Sequence, residues 1–250
     1  MLITSKDNEI IKEVRKLKEK KYRKNRFVIE GIKILKEAIV EKENIELIIV
    51  KEGTKIDIDI KKYKNIEVTE KIFNTLTDVV SPQGVLSVIR KDNNKNIDFN
   101  ADYIVILDDL QDPGNMGTII RTLDSANIKQ LIVSKNTVDA YSSKVVRSTM
   151  GSIFRVNVIE VENLLDTLNE LKQNKFEIIT TSLKAKKSIY EVDYNKKVVV
   201  IGNEANGVNE EIENNSDYKV KIPMLGKTES LNASVAAGVM IYEYVRQKIK

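Results

Sequence analysis

Three polar stretches of the chain carry side chains able to do chemistry: Asp108-Asp109-Leu110-Gln111-Asp112-Pro113-Gly114-Asn115-Met116-Gly117 with Arg121, Gly202-Asn203-Glu204-Ala205-Asn206-Gly207, and Ile222-Pro223-Met224 running on to Ser230-Leu231-Asn232-Ala233-Ser234. In the first, Pro-Gly-Asn is turn chemistry ahead of a helix, and Asn115 is a good cap for it. The free N–H groups and positive dipole end of such a helix suit a phosphate. Helical side chains lean toward the N-terminus, so Arg121, two turns in, could reach back to the same anion. In the second, Gly202 ends an apolar strand and lets a ligand approach the backbone closely. Its glycine spacing is neither a dinucleotide fingerprint nor a P-loop. In the third, Ser230 can cap the helix that follows. Asn232 is an unusual carboxamide in the first turn of an apolar helix, and Ala233, Ser234, Ala236 and Ala237 allow something to pack very close.

Two absences narrow the reactions. The chain has no His and no Cys. That removes an imidazole base, a Ser-His-Asp triad, any cysteine adduct and a thiolate metal site. A base, if one is used, is Asp, Glu, Lys, Tyr or the substrate itself.

The elements that must position these residues fall in two segments. Residues 91–100 (KDNNKNIDFN) are dense in Asn, Asp and Lys and read as a loop. The expected division is 1–92, a linker at 93–100, and 101–250. In front, helical spacing at Ile10, Val14 and Leu17 and again at Ile32, Leu35, Ala38 and Ile39 combines with strands at 26–30, 46–50 and 84–90 and a helix at 71–78, giving a small α/β domain. Behind it, strands at 103–107, 130–133, 176–180, 198–201 and 218–222 alternate with helices at 116–127, 141–150 and 161–174. Continuous apolar strands separated by helices imply an α/β fold with a mostly parallel sheet covered on both faces. The last helix, 231–249, carries a stripe of Leu231, Val235, Val239, Tyr242, Val245 and Ile249, with Ala233, Ala236, Ala237 and Met240 on its other side. A helix apolar nearly all round is buried in a core or at a subunit interface.

The 42% hydrophobic fraction fits an ordinary globular protein, and no apolar run is long enough to cross a membrane. The first thirteen residues lack the apolar core of a secretory signal, so a cytoplasmic location is expected. Net charge is only +4, but residues 12–26 hold nine basic and two acidic side chains. Such a block attracts a polyanion by counterion release, which makes Lys12, Arg15, Lys16, Lys20, Arg23 and Arg26 candidate contacts for a polyanion such as RNA.

Taken together and in order, Asn115-x-Gly117-x-x-x-Arg121, Gly202-Asn203-Glu204-x-x-Gly207, and Ile222-Pro223-Met224 with Ser230-Leu231-Asn232-x-Ser234 resemble the three motifs of the SpoU branch of the SPOUT RNA methyltransferases. The front half, through Arg26-Phe27-Val28-Ile29-Glu30-Gly31 and Ser81-Pro82-Gln83-Gly84, is similar to the ribosomal-protein-like substrate-binding domain that precedes this catalytic domain in relatives. The resemblance implies a C-terminal trefoil knot, S-adenosyl-L-methionine as cofactor, a homodimer, no metal, and methyl transfer to a ribose 2′-hydroxyl of RNA, ribosomal rather than transfer RNA. It carries cofactor binding onto Gly202, Ile222 and Leu231, and catalytic work onto Asn115, Arg121, Glu204, Ser230 and Asn232. An arginine stays protonated, so Arg121 is expected to grip a phosphate and stabilise developing charge rather than act as base. Glu204 or the substrate phosphate would take the proton. The competing readings are a transfer-RNA 2′-O-methyltransferase and a non-catalytic RNA-binding protein.

Overall fold

The computed structural model describes residues 2–91 and 96–249. The chain forms two compact units, Met1–Asn94 with Asp139–Phe154, and Lys95–Val138 with Arg155–Lys250. Of the expected linker, residues 93–95 lie outside the described residues.

The first unit starts with strand β1 (Leu2–Ile3), helix α1 (Glu9–Lys16), β2 (Arg26–Glu30), α2 (Ile32–Val40), β3 (Ile45–Lys51), β4 (Asn65–Val68), α3 (Glu70–Leu76) and β5 (Val85–Arg90). Its sheet has the order β1-β4-β3-β5-β2, parallel from β1 to β3 and antiparallel at β5 and β2. Side chains alternate across a strand, so β3 serves two cores. Leu47 and Ile49 meet Ile11, Val14, Leu17, Ile72 and Phe73 of α1 and α3 on one face. Ile48 meets Leu35 and Ala38 of α2 on the other.

The second unit is built on β6 (Tyr103–Leu107), α4 (Pro113–Ser125) and β7 (Gln130–Ser134). The chain then gives residues 139–154, including α5 (Ser143–Thr149), to the first unit. There Val146 joins the core around Phe27, whose ring lies 4.9 Å from that of Tyr141. The division read from sequence gave this segment to the second domain, because an apolar periodicity shows that a helix is buried and not which core buries it. The chain resumes with β8 (Asn157–Val161), α6 (Leu164–Gln173), β9 (Glu177–Thr181), β10 (Lys187–Ser188), β11 (Lys197–Ile201), α7 (Glu210–Asn214), β12 (Tyr218–Lys221) and α8 (Ala233–Lys248).

The seven strands of this unit have the order β10-β12-β9-β11-β6-β7-β8, and every neighbouring pair is parallel. All residues of β6 and β11 are buried, as expected for central strands covered on both faces. From β6 the chain first winds outward through β7 and β8, then crosses to β9 and inserts β11 beside β6. The order therefore reverses between β6 and β11. Open α/β sheets bind ligands at such a reversal, at the carboxyl ends of the strands.

Helix α8 differs from expectation. Its buried face is Ala233, Ser234, Ala237, Met240 and Ile241, packed toward α4 and β11. Of the expected stripe, Leu231, Val235, Tyr242 and Ile249 lie at the surface, Val235 and Tyr242 each half exposed at 50%, while Val239 and Val245 are half-buried. Small side chains let the helix axes approach closely, so the alanine face goes inward and the bulky one is left at the surface. Among the described residues, no helix is long and apolar enough to cross a membrane.

Candidate active site at the reversal of the parallel sheet

The loops after β6, β11 and β12 leave from the same edge of the sheet, because all three strands are parallel. Asp109, the second residue past β6, has a left-handed backbone with φ 58°. That conformation is uncommon for a non-glycine residue and recurs at functional sites. The β11 loop holds it: the Asn203 side-chain amide donates to the Asp109 carbonyl at 2.9 Å, and its own oxygen accepts from the N–H groups of Ala205 and Asn206. The Asn209 N–H donates to the Asp108 carboxylate at 3.0 Å. Burial pushes the Asp108 carboxyl above its ordinary range, against this hydrogen bond and with the Asp109 charge adding to the rise.

Asp112, rather than Asn115, caps α4, accepting the Asn115 N–H at 2.8 Å with Pro113 in the first turn. A proline there gives up only an N–H that has no helical partner. Asn115 is thereby freed for the site, buried one residue triplet further in. Its amide nitrogen donates to Glu204 Oε1 at 2.9 Å, and its oxygen accepts from the Asn232 amide at 3.0 Å. Asn232, rather than Ser230, caps α8, accepting from the N–H groups of Ser234 and Val235 and from the Ser234 hydroxyl at 2.7 Å. One carboxamide, Asn115, therefore ties together all three polar stretches.

Glu204 also accepts from the backbone N–H groups of Gln111 and Asp112, both at 3.3 Å. Its partial burial opposes ionisation, but the hydrogen bonds from Asn115 and these backbone groups outweigh it and hold the carboxyl below its usual value. The sign follows: a depressed folded pKa contributes stability above the unfolded value, and this is lost as pH falls through the folded one. The thermal-stability gap between wild type and Glu204→Gln is expected to be present above about pH 4.3 and to close at lower pH. Melting curves across that range check this, and a gap that persisted in acid would mean Glu204 acts through shape alone.

The structure brings together Asn115, Glu204 and Asn232. It leaves Arg121 and Ser230 exposed, without a hydrogen-bond partner among the described residues. Asn203, Gln111 and Asp112 were not singled out from sequence. Asn203 lay in a turn-rich motif whose signal pointed to Gly202 and Glu204, and nothing in it identified the backbone that Asn203 would hold.

The expected cofactor residues sit on the same edge. Gly202 is buried, and a Cβ there would lie 2.1 Å from the Gly207 carbonyl carbon and the Val208 nitrogen. Among the described residues, none of the backbone N–H or C=O groups from 222 to 231 has a hydrogen-bond partner. Ile222 and Met224 are half-buried, and Leu231 is exposed at the far end of that loop. Unpaired backbone donors and acceptors beside apolar side chains fit a heterocycle read through its edges, such as the adenine of S-adenosylmethionine. Among the described residues no group of three or more Asp and Glu side chains is placed to hold a metal ion.

In the first unit the basic block is largely engaged. Lys12 pairs with Glu9, Lys16 with Glu13, and Arg26 with Glu13 and Glu46. Arg15 reaches Thr75 at 3.4 Å, and Lys20 is exposed but also has a partner. Arg23 corrects the expectation: only 8% exposed, it pairs with Asp139 at 2.8 Å and donates to the carbonyls of Leu17 and Lys18. A guanidinium with its donors spent inside the fold has none for RNA.

A model of the SpoU rRNA methylase family matches residues 102–242, and one of the MRM3-like substrate binding domain matches residues 8–87. The 23S rRNA (guanosine(2553)-2′-O)-methyltransferase RlmP of Bacillus subtilis (strain 168) is 32% identical over 244 residues, 96% of this chain and 97% of that one. The solved structure of an AdoMet-bound rRNA methyltransferase from Sinorhizobium meliloti has a TM-score of 0.86 at 28% identity, covering 98% of this chain and 97% of that one. The SpoU methyltransferase AviRb from Streptomyces viridochromogenes, in complex with AdoMet, has a TM-score of 0.86 over 97% of this chain and 99% of that one; its 23% identity bears on the fold alone.

Proposed function

The chain belongs to the SpoU rRNA methylase family, and from that premise we propose that it transfers a methyl group from S-adenosylmethionine to a ribose 2′-hydroxyl of ribosomal RNA. The observation that carries the reading is the junction at Asn115, which joins Glu204 and Asn232 at the reversal of a parallel sheet. Bound at the loops of Gly202, Ile222 and Leu231, the cofactor supplies an activated methyl on a good leaving group. The protein's task is to deliver the ribose oxygen and manage its proton.

Asn115, Glu204 and Asn232 form the floor that fixes the three loops. Arg121, whose donors have no partner among the described residues, grips a substrate phosphate. Ser230, exposed in the loop before Asn232, orients the ribose. Glu204 is held ionised with its oxygens already accepting, so it serves as a clamp on the β6 loop rather than as the base. Proton loss follows C–O bond formation, when the ribose oxygen is strongly acidic, and a weak acceptor such as the substrate phosphate then suffices. Incubating the protein with labelled S-adenosylmethionine and unmodified ribosomal and transfer RNA, followed by nucleoside analysis, tests the reaction. A 2′-O-methylnucleoside in ribosomal RNA is expected. Label in transfer RNA alone would reassign the substrate, and neither transfer nor cofactor binding would leave an RNA-binding protein.

The knotted threading implied by the family resemblance, the homodimer and action in the cytoplasm are parts of the same proposal. The dimer is supported by α8, whose Val235, Tyr242 and Ile249 face outward. Val235→Glu is expected to turn the protein into a monomer by sedimentation, without unfolding it. The RNA-binding role of the first unit rests on Lys12, Arg15, Lys16, Lys20 and Arg26; the surface ion pairs of Lys12, Lys16 and Arg26 are weak enough for phosphates to displace.

A further inference from the structure

The strongest unassigned charge lies on the second unit. Residues 182–188 (SLKAKKS) and 218–228 (YKVKIPMLGKT) hold Lys184, Lys186, Lys187, Lys219, Lys221 and Lys227 and no acidic residue. These stretches are adjacent in space: β10 pairs with β12, placing Lys187 beside Val220 and Ser188 beside Lys221, and the Ser182 N–H donates to the Val220 carbonyl at 2.9 Å. Among the described residues, Lys184, Lys186, Lys221 and Lys227 have no ion-pair partner, and Lys187 lies 5.0 Å from the centre of the Tyr218 ring. Lys219 alone meets an acid, Glu213 at 3.5 Å. Of the acids that bound these stretches, Glu191 is spent on the Ser188 N–H in a capping box and Asp217 on Lys172 at 3.2 Å, while Glu229 is exposed two residues after Lys227. The contrast with the first unit is direct, since most cations of its basic block are neutralised by partners of their own.

We propose that this β10–β12 edge is a second RNA-binding surface, which grips the phosphates of the strand leading to the target ribose; the proposal rests on the RNA-modifying reading above. Three features favour a nucleic acid strand. The charge is of one sign and, Lys219 apart, without ion-pair partners among the described residues, which is what a polyanion requires. Leu183 and Tyr190 are exposed among the lysines, and apolar and aromatic side chains between cations suit unstacked bases. The surface also lies within reach of the site: β12 and β11 flank β9, so their ends are separated by about 10 Å on the same edge. Lysines also protect sheet edges from pairing with other chains. That accounts for Lys187 on β10, but not for Lys184, Lys186 and Lys227 in loops.

The test uses the full chain and a fluorescently labelled single-stranded RNA oligonucleotide of mixed sequence. Removing three phosphate contacts in Lys184→Gln/Lys186→Gln/Lys187→Gln should reduce the slope of log affinity against log salt by about 2 and weaken binding at least tenfold at low salt. In methyl transfer the RNA KM should rise while kcat at saturating RNA and affinity for S-adenosylmethionine stay as in wild type. Wild-type RNA affinity and salt slope in the triple variant would overturn the surface, and aggregation with unchanged RNA binding would assign the lysines to edge protection. Loss of RNA binding by the variant, with no methyl transfer by wild type, would keep the surface and sink the enzymatic reading instead.

Discussion

Arg121→Ala is expected to lower methyl transfer about a hundred-fold, the effect of releasing the substrate phosphate whose grip places the ribose oxygen for attack. Affinity for S-adenosylmethionine should stay near that of wild type, because among the described residues Arg121 makes no hydrogen bond to the loops of Gly202 and Ile222. Stability should hardly change, since the side chain is exposed and has no hydrogen-bond partner among the described residues. These three readouts together separate a substrate contact from a structural one. Arg121→Lys refines the point. A lysine restores the charge but not the two-pronged geometry of a guanidinium. Recovery of near-full turnover by lysine would overturn the clamp and leave a simple charge requirement.

Gly202→Ala is expected to abolish cofactor binding and lower the melting temperature, by the addition of one methyl group. The atoms it would strike are backbone, the Gly207 carbonyl group and the Val208 nitrogen at 2.1–2.2 Å, and cannot rotate away. The Asn203–Gly207 turn is closed by two reciprocal backbone hydrogen bonds of 2.9 Å, so the strike falls on the loop that carries Glu204. Overpacking a well-fitted site costs about 1–3 kcal/mol, or more when backbone must move. Calorimetric titration with S-adenosylmethionine and a melting curve check both halves. Unchanged affinity would show that the turn can open without consequence for the pocket.

The central strands were legible in the sequence because buried parallel strands are continuous apolar runs, as in YIVIL of β6 and VVVI of β11. β4, β8 and β10 were not. Asn65–Val68 and Asn157–Val161 mix polar with apolar residues over a few positions, and Lys187–Ser188 is too short to have a period. The site residues were named from motifs, but their division of labour was not readable. Asn115 and Ser230 look like caps on local chemistry, yet Asp112 and Asn232 take those positions, because cap choice depends on where the neighbouring loops already place acceptors. Arg23 misled for a similar reason. Its partner Asp139 is distant in sequence, and charge counting cannot see a pair formed only by folding.

That partner belongs to the excursion at 139–154, which completes the first unit from within the sequence of the second. Tyr141, Val146 and Phe154 lie against Phe27, so the core around that ring cannot close when β5 leaves the ribosome. The nascent first unit must wait, with one apolar face open, while β6, α4 and β7 are synthesised. Synthesis at about 5–20 residues per second makes that wait a matter of seconds, an interval in which the growing chain is open to chaperones.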